Sequence, residues 1–100
     1  MSNVLLVGSG AREVAIAKQI KKSSSPPSLF CVAPTTNPQI KTLTTSYFEQ
    51  SLNEIEVVVG VAKKLSIDLA IIGPEGPLEA GLVDALEKEG ILCVGPRKNV

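Results

Sequence analysis

A chain of 100 residues has room for one small domain, and with 44% hydrophobic but only 3% aromatic residues its core must be aliphatic. Ten Lys and Arg balance ten Asp and Glu, which leaves no field to hold nucleic acid or an anionic membrane surface, and too few rings to stack on bases. The absence of histidine removes the commonest general base and the triads built around it. No apolar run nears the ~20 residues of a membrane span, and Met1-Ser2-Asn3 lacks the basic start of a secretory signal. A soluble, cytoplasmic protein is expected.

Asn3 to Val7 (NVLLV) is a short apolar run that breaks into Gly8-Ser9-Gly10. This pattern predicts a strand buried on both faces. From Arg12 to about Ser23 the pattern turns helical. Ile16 and Ile20 share one face with Ala15 and Ala17 as small packing residues, before Ser23 to Pro27 stop the helix. Leu29 to Val32 is a second strand, ending at Ala33-Pro34. The polar stretch through Thr45 shows no periodicity beyond a short edge strand near Leu43, and so long a connection reads as functional or mobile. Ser51 and Glu54 have capping-box spacing, and Leu52, Ile55, Val59 and Ala62 then repeat as a helix up to Lys64. Leu69 to Ile72 is a strand ending in Gly73-Pro74-Glu75. Leu78, Leu82, Ala85 and Leu86 mark a third helix that Gly90 closes with a left-handed cap, and Ile91 to Val94 is the last strand.

Buried strands alternating with amphipathic helices predict an α/β fold: an open parallel sheet of about five strands, order 3-2-1-4-5, with helices on both faces. That order separates Cys31 from Cys93 by three strand spacings, ~14 Å, whereas a disulfide needs Cα atoms within ~7 Å. Both are expected to be buried free thiols.

In such a sheet ligands bind where strands end and strand order reverses. Gly8, Ser9, Gly10 and Arg12 form a candidate phosphate cradle, with glycine amides free to approach an anion, a helix N-terminus behind them, and a forked cation in Arg12. The competing reading is a tight strand-to-helix turn. The dinucleotide fingerprint needs a third small residue where Glu13 stands and an acid where the second strand reads Cys31-Val32-Ala33-Pro34, and no Gly-Lys-Ser/Thr follows the glycines. Both NAD and an ATP-type P-loop are disfavoured. Pro74 and Glu75 form the second candidate, where a carboxylate can accept hydrogen bonds from sugar hydroxyls or an amine. The alternative is that Glu75 caps the next helix. Glu79, Asp84, Arg97 and Lys98 read as surface charges. No catalytic group and no metal ligand is assigned.

NVLLVGSGAREVAIAKQI, CVAP and IDLAIIGPEGPLEAGLVDALEKEGILCVGPRK together resemble the amino-terminal domain of the phosphoribosylamine–glycine ligase family. The GPExPLxxGxVD element is the more specific. The resemblance implies a pre-ATP-grasp, Rossmann-like domain over residues 1–100, with the ATP-grasp and carboxy-terminal domains lying elsewhere in the chain. It implies an enzyme of purine biosynthesis that activates glycine as an acyl phosphate for attack by the amine of 5-phosphoribosylamine. ATP and Mg2+ (or Mn2+) would bind outside these residues, which alone would be inactive. Gly8, Ser9, Gly10 and Arg12 would line the phosphate side of the phosphoribosyl pocket, with Pro74 and Glu75 beside the ribose. This sequence departs from the family in having Val14 where a histidine is usual, and Thr35-Thr36-Asn37-Pro38 where a Gly-Asn turn is usual. Those departures leave room for a related ATP-grasp carboxylase or ligase with another substrate. A stand-alone sugar-phosphate or nucleotide-binding module is the reading from a different class.

Overall fold

Two aliphatic faces on a single sheet require two covering layers, and the chain supplies a pair of helices for each. The computed structural model describes residues 3–8, 10–50, 55–72 and 79–94, without the side chains of residues 11, 12, 79 and 80. Its elements in chain order are β1 (Asn3–Val7), α1 (Ala11–Lys21), β2 (Ser28–Ala33), α2 (Pro38–Lys41), β3 (Ser46–Glu49), α3 (Ile55–Lys64), β4 (Leu69–Ile72), α4 (Glu79–Lys88) and β5 (Leu92–Val94). The five strands form one sheet in the order β3-β2-β1-β4-β5, every neighbouring pair parallel. This is the expected α/β architecture.

Alternation along each strand divides the core in two. Leu5, Val7, Phe30, Val32, Ala70 and Ile72 face Val58 and Ala62 of α3 and Leu82 and Leu86 of α4. Val4, Leu6, Leu29, Cys31 and Ala33 face Val14 and Ala17 of α1 and Ile40 of α2. The helices therefore lie on both faces, and the central strands β1 and β2 read as unbroken apolar runs because both of their faces are covered. Among the described residues no helix is long and apolar enough to cross a membrane.

The structure corrects the chain-order reading in three places. Ala15 is exposed: α1 docks through Val14 and Ala17 with Ile16 and Ile20 at the margin, which turns its inner face away from Ala15. The segment after Pro34 contains a short helix that the pattern did not predict. It is started by Asn37, whose side chain accepts from the Gln39 amide at 2.9 Å, with Pro38 in its first turn. The edge strand lies at Ser46–Glu49 rather than near Leu43, because Leu43 follows that helix and packs beside Ile40 on the α1 face. The capping box at Ser51 and Glu54, with Leu52 and Leu78, falls outside the described residues. Gly90 has φ of 81°, the left-handed cap expected of it.

Candidate functional site

Because all strands run parallel, their carboxyl ends share one rim, and the strand order reverses between β1 and β4. Val7 and Ile72 are register partners, so the chain leaves these two strands at the same level. The two predicted binding elements are thus the continuations of adjacent strands at the switch point. Of their residues, Gly8 and Gly10 are described and Arg12 is the second residue of α1. Ser9, Pro74, Glu75 and the Arg12 side chain lie outside the described set, as do Gly73, Gly95, Pro96, Arg97 and Lys98 and the side chain of Glu79.

Gly8 takes φ of 117°, a conformation that side chains rarely tolerate. Its N–H donates to the Val32 carbonyl at 2.9 Å, carrying the β1–β2 ladder one residue past the strand. Its carbonyl accepts from the Cys31 thiol at 3.4 Å. Gly10 is the N-cap of α1 in an extended conformation, φ −82° and ψ −178°. Its N–H donates to Glu13 Oε1 at 2.8 Å, and its carbonyl accepts from the Val14 amide at 3.1 Å. Glycine has no side chain, so only the Glu13 half of a capping box exists here. A Cβ on Gly10 would sit 3.0 Å from Glu13 Oε1, closer than such contacts normally come. Gly10 is therefore required by close approach and not by its own backbone angles.

Glu13 is only 2% exposed. While Oε1 holds the Gly10 amide, Oε2 is buried with no hydrogen-bond partner among the described residues. The turn thus carries a carboxylate of its own against the positive end of α1, and both glycine amides have partners within the chain. Sequence reasoning noticed Glu13 only as a mismatch to the dinucleotide fingerprint. The usable signal was its place three residues after the helix-capping glycine. Val14, the neighbouring departure from the family pattern, points into the core with Leu6 and Cys31.

The rim beside β2 is tied down by Tyr47 and Glu49 of β3. The Tyr47 hydroxyl donates to the Thr35 carbonyl at 2.6 Å and accepts from the Asn37 amide at 3.1 Å. Thr36 Oγ1 donates to Glu49 Oε1 at 3.0 Å. Periodicity could not find this clamp, because a tyrosine on an edge strand announces nothing about which loop it meets.

Both cysteines are free, Cys31 buried and Cys93 half-buried. Burial pushes the Cys31 thiol up to about 12; the nearby Glu13 charge adds to this and a Tyr47 hydrogen bond opposes it. Burial, with the charge of Glu87, pushes Cys93 to about 11. Both thiols therefore keep their protons at neutral pH and are poor nucleophiles there. Among the described residues no group of three or more His, Cys, Asp or Glu side chains could hold a metal ion, so these residues do not fit a magnesium site.

Residues 2–100 match the family model described as phosphoribosylglycinamide synthetase, N domain. The chain belongs to that family. Its relatives include the phosphoribosylamine–glycine ligases of Methanococcoides burtonii, 48% identical over 98% of this chain and 23% of that protein, and of Methanosarcina barkeri, 46% identical over 96% of this chain and 22% of that protein. The ligase of Pyrococcus furiosus is 44% identical over 98% of this chain and 22% of its own length. The chain thus spans about a fifth of the curated relatives it matches. Among solved structures, the C-terminal domain of a hydrogenase from Pyrococcus furiosus superposes with a TM-score of 0.64 over 96% of this chain and 92% of that one, at 11% identity. This is a likeness of fold alone.

Proposed function

We propose that this chain is the part of a phosphoribosylamine–glycine ligase that binds the phosphoribosyl substrate, the whole enzyme joining glycine to 5-phosphoribosylamine with hydrolysis of ATP to ADP and phosphate. The observation that carries the reading is the family match over residues 2–100 with ligases 41–48% identical. The position of the two motif-bearing turns, on adjacent strands at the switch point, supports it. In this reading Ser9, Arg12 and the first-turn amides of α1 meet the phosphate, since first-turn amides have no acceptor within a helix. Gly8 and Gly10 shape the turn, and Pro74 and Glu75 lie beside the ribose. In this reading ATP and its metal ion bind in the rest of the ligase, since the chain has no Gly-Lys-Ser/Thr phosphate loop. The chain's own share of catalysis is then to orient one substrate, and by itself it is inactive.

The test uses the full-length ligase with ATP, Mg2+, glycine and phosphoribosylamine. ADP release that requires both glycine and the amine is expected, and release independent of either one overturns the assignment. Arg12→Ala and Glu75→Ala should raise the KM for phosphoribosylamine while leaving the KM for glycine in place.

A further inference from the structure

The sheet face that carries α1 is covered unevenly. Across it, in register, run Leu29 and Cys31 of β2, Val4 and Leu6 of β1, Leu69 and Ile71 of β4, and Leu92 and Val94 of β5. The residues of β2 and β1 are buried, those of β4 are half-buried, and Leu92 and Val94 are 63% and 51% exposed. The opposite face is better covered, since Ala70 is buried and Cys93 half-buried against α4. Helix dimensions account for the bare strip. An α-helix is roughly 10 Å across and strands lie about 4.8 Å apart, so one helix shields about two strands. On this face α1 and the short α2 serve β1, β2 and β3, which leaves β4 half-covered and β5 bare. A parallel sheet is normally covered on both faces, and the uncovered residues are aliphatic.

We infer that the face formed by Leu69, Ile71, Leu92 and Val94 is the seat of a helix belonging to the same polypeptide, in the part of the ligase that follows this domain. This is an N domain by family and accounts for only 22–23% of the relatives, so ample chain exists to supply it. Crossover handedness says which side it takes. The connection from β1 to β2 runs toward the β3 edge and places α1 on this face. A chain leaving β5 that crosses back to a further parallel strand of this sheet would run in that same direction, and a right-handed crossover of that kind lies on the same face as α1. The occupant is an amphipathic helix with an aliphatic stripe, lying beside α1 over β4 and β5. Docking there ties the rest of the enzyme to the strand next to β4, whose carboxyl end borders the switch point. The inference uses the fold and the family but not the proposed substrate.

The experiment places a diazirine analogue of leucine at position 92 of the full-length ligase, close in shape to the native side chain. Equal amounts of isotopically heavy and light chains are mixed before illumination, and cross-linked peptides are identified by mass spectrometry. A link within one chain to a peptide beyond residue 100 is the expected result. Links between heavy and light chains would make a second copy the occupant and overturn the inference. Quenching by water, with no link beyond the sheet itself, would overturn it too by showing that the face stays bare. In parallel, Leu92→Lys with Val94→Lys should lower the unfolding midpoint of the full-length protein by several degrees, while Leu92→Met with Val94→Ile should leave it in place. An unchanged midpoint for the lysine pair would also count against a covered face.

Discussion

The contact between Gly10 and Glu13 allows a sharp test of what the first turn is built from. Gly10→Ala introduces no backbone strain, since φ is −82°, and its methyl group would meet one atom, Glu13 Oε1, at 3.0 Å. A long carboxylate would normally swing aside, but Glu13 is enclosed and is held at 2.8 Å by the amide of the same glycine. Making room by the few tenths of an ångström needed strains a hydrogen bond whose full loss would cost about 1.5–3 kcal/mol. Two lesser effects, the poorer N-cap preference of alanine and the stiffer unfolded chain, are each under about 1 kcal/mol and oppose one another. Gly10→Ala should thus cost between about 1 and 3 kcal/mol in the native background and close to nothing once Glu13→Ala has removed the obstructing carboxylate. Urea unfolding of the four members of this double-mutant cycle, followed by circular dichroism, measures the coupling. If Gly10→Ala is equally costly in both backgrounds, to within about 0.5 kcal/mol, the glycine is required for some reason other than its contact with Glu13.

Gly90→Ala should destabilise by about 1–2 kcal/mol, because φ of 81° is costly for alanine while no atom lies near enough to clash; a thermal melt against wild type measures it. Tyr47→Phe removes the donor to Thr35 and the acceptor for Asn37, which should cost about 1–2 kcal/mol and speed hydrogen exchange at the Asn37 amide. With maleimide at neutral pH, Cys93 should react before the buried Cys31, and mass spectrometry of the modified peptides gives the order. The Cys31 thiol keeps its proton in the folded state up to about 12 against an ordinary value of 9.0, whereas the unfolded chain releases it earlier. Its contribution to stability is therefore complete below pH 9 and falls as pH rises from 9 toward 12, by at most about 1.4 kcal/mol per pH unit. The alkaline loss of stability should be shallower in Cys31→Ala.

Much of this fold was legible before any coordinates, for identifiable reasons. β1 and β2 are short aliphatic runs between breakers, and burial on both faces produces that pattern. The βα alternation then restricts the strand order to few choices, and the switch point follows from the order. The segment between β2 and α3 was harder to read. Its helix is only four residues long, Pro38–Lys41, too short for a period to show, though Asn37-Pro38 is a recognisable helix start. The strand after it is an edge, half-covered along most of its length, so its hydrophobic pattern is weak.

From the sequence alone came the parallel α/β class, the family, and the placing of both motif turns at strand ends, because these depend on local periodicity and on residue types that neighbours cannot disguise. The tertiary structure alone decided that the acid at position 13 is drawn under the first turn to hold the Gly10 amide. It also decided that α1 presents Val14 rather than Ala15 to the sheet, and that one strip of the sheet, on β4 and β5, is left open by the described helices. Each of these depends on which surfaces meet when the layers pack, and packing distance and helix rotation are not written in any local pattern.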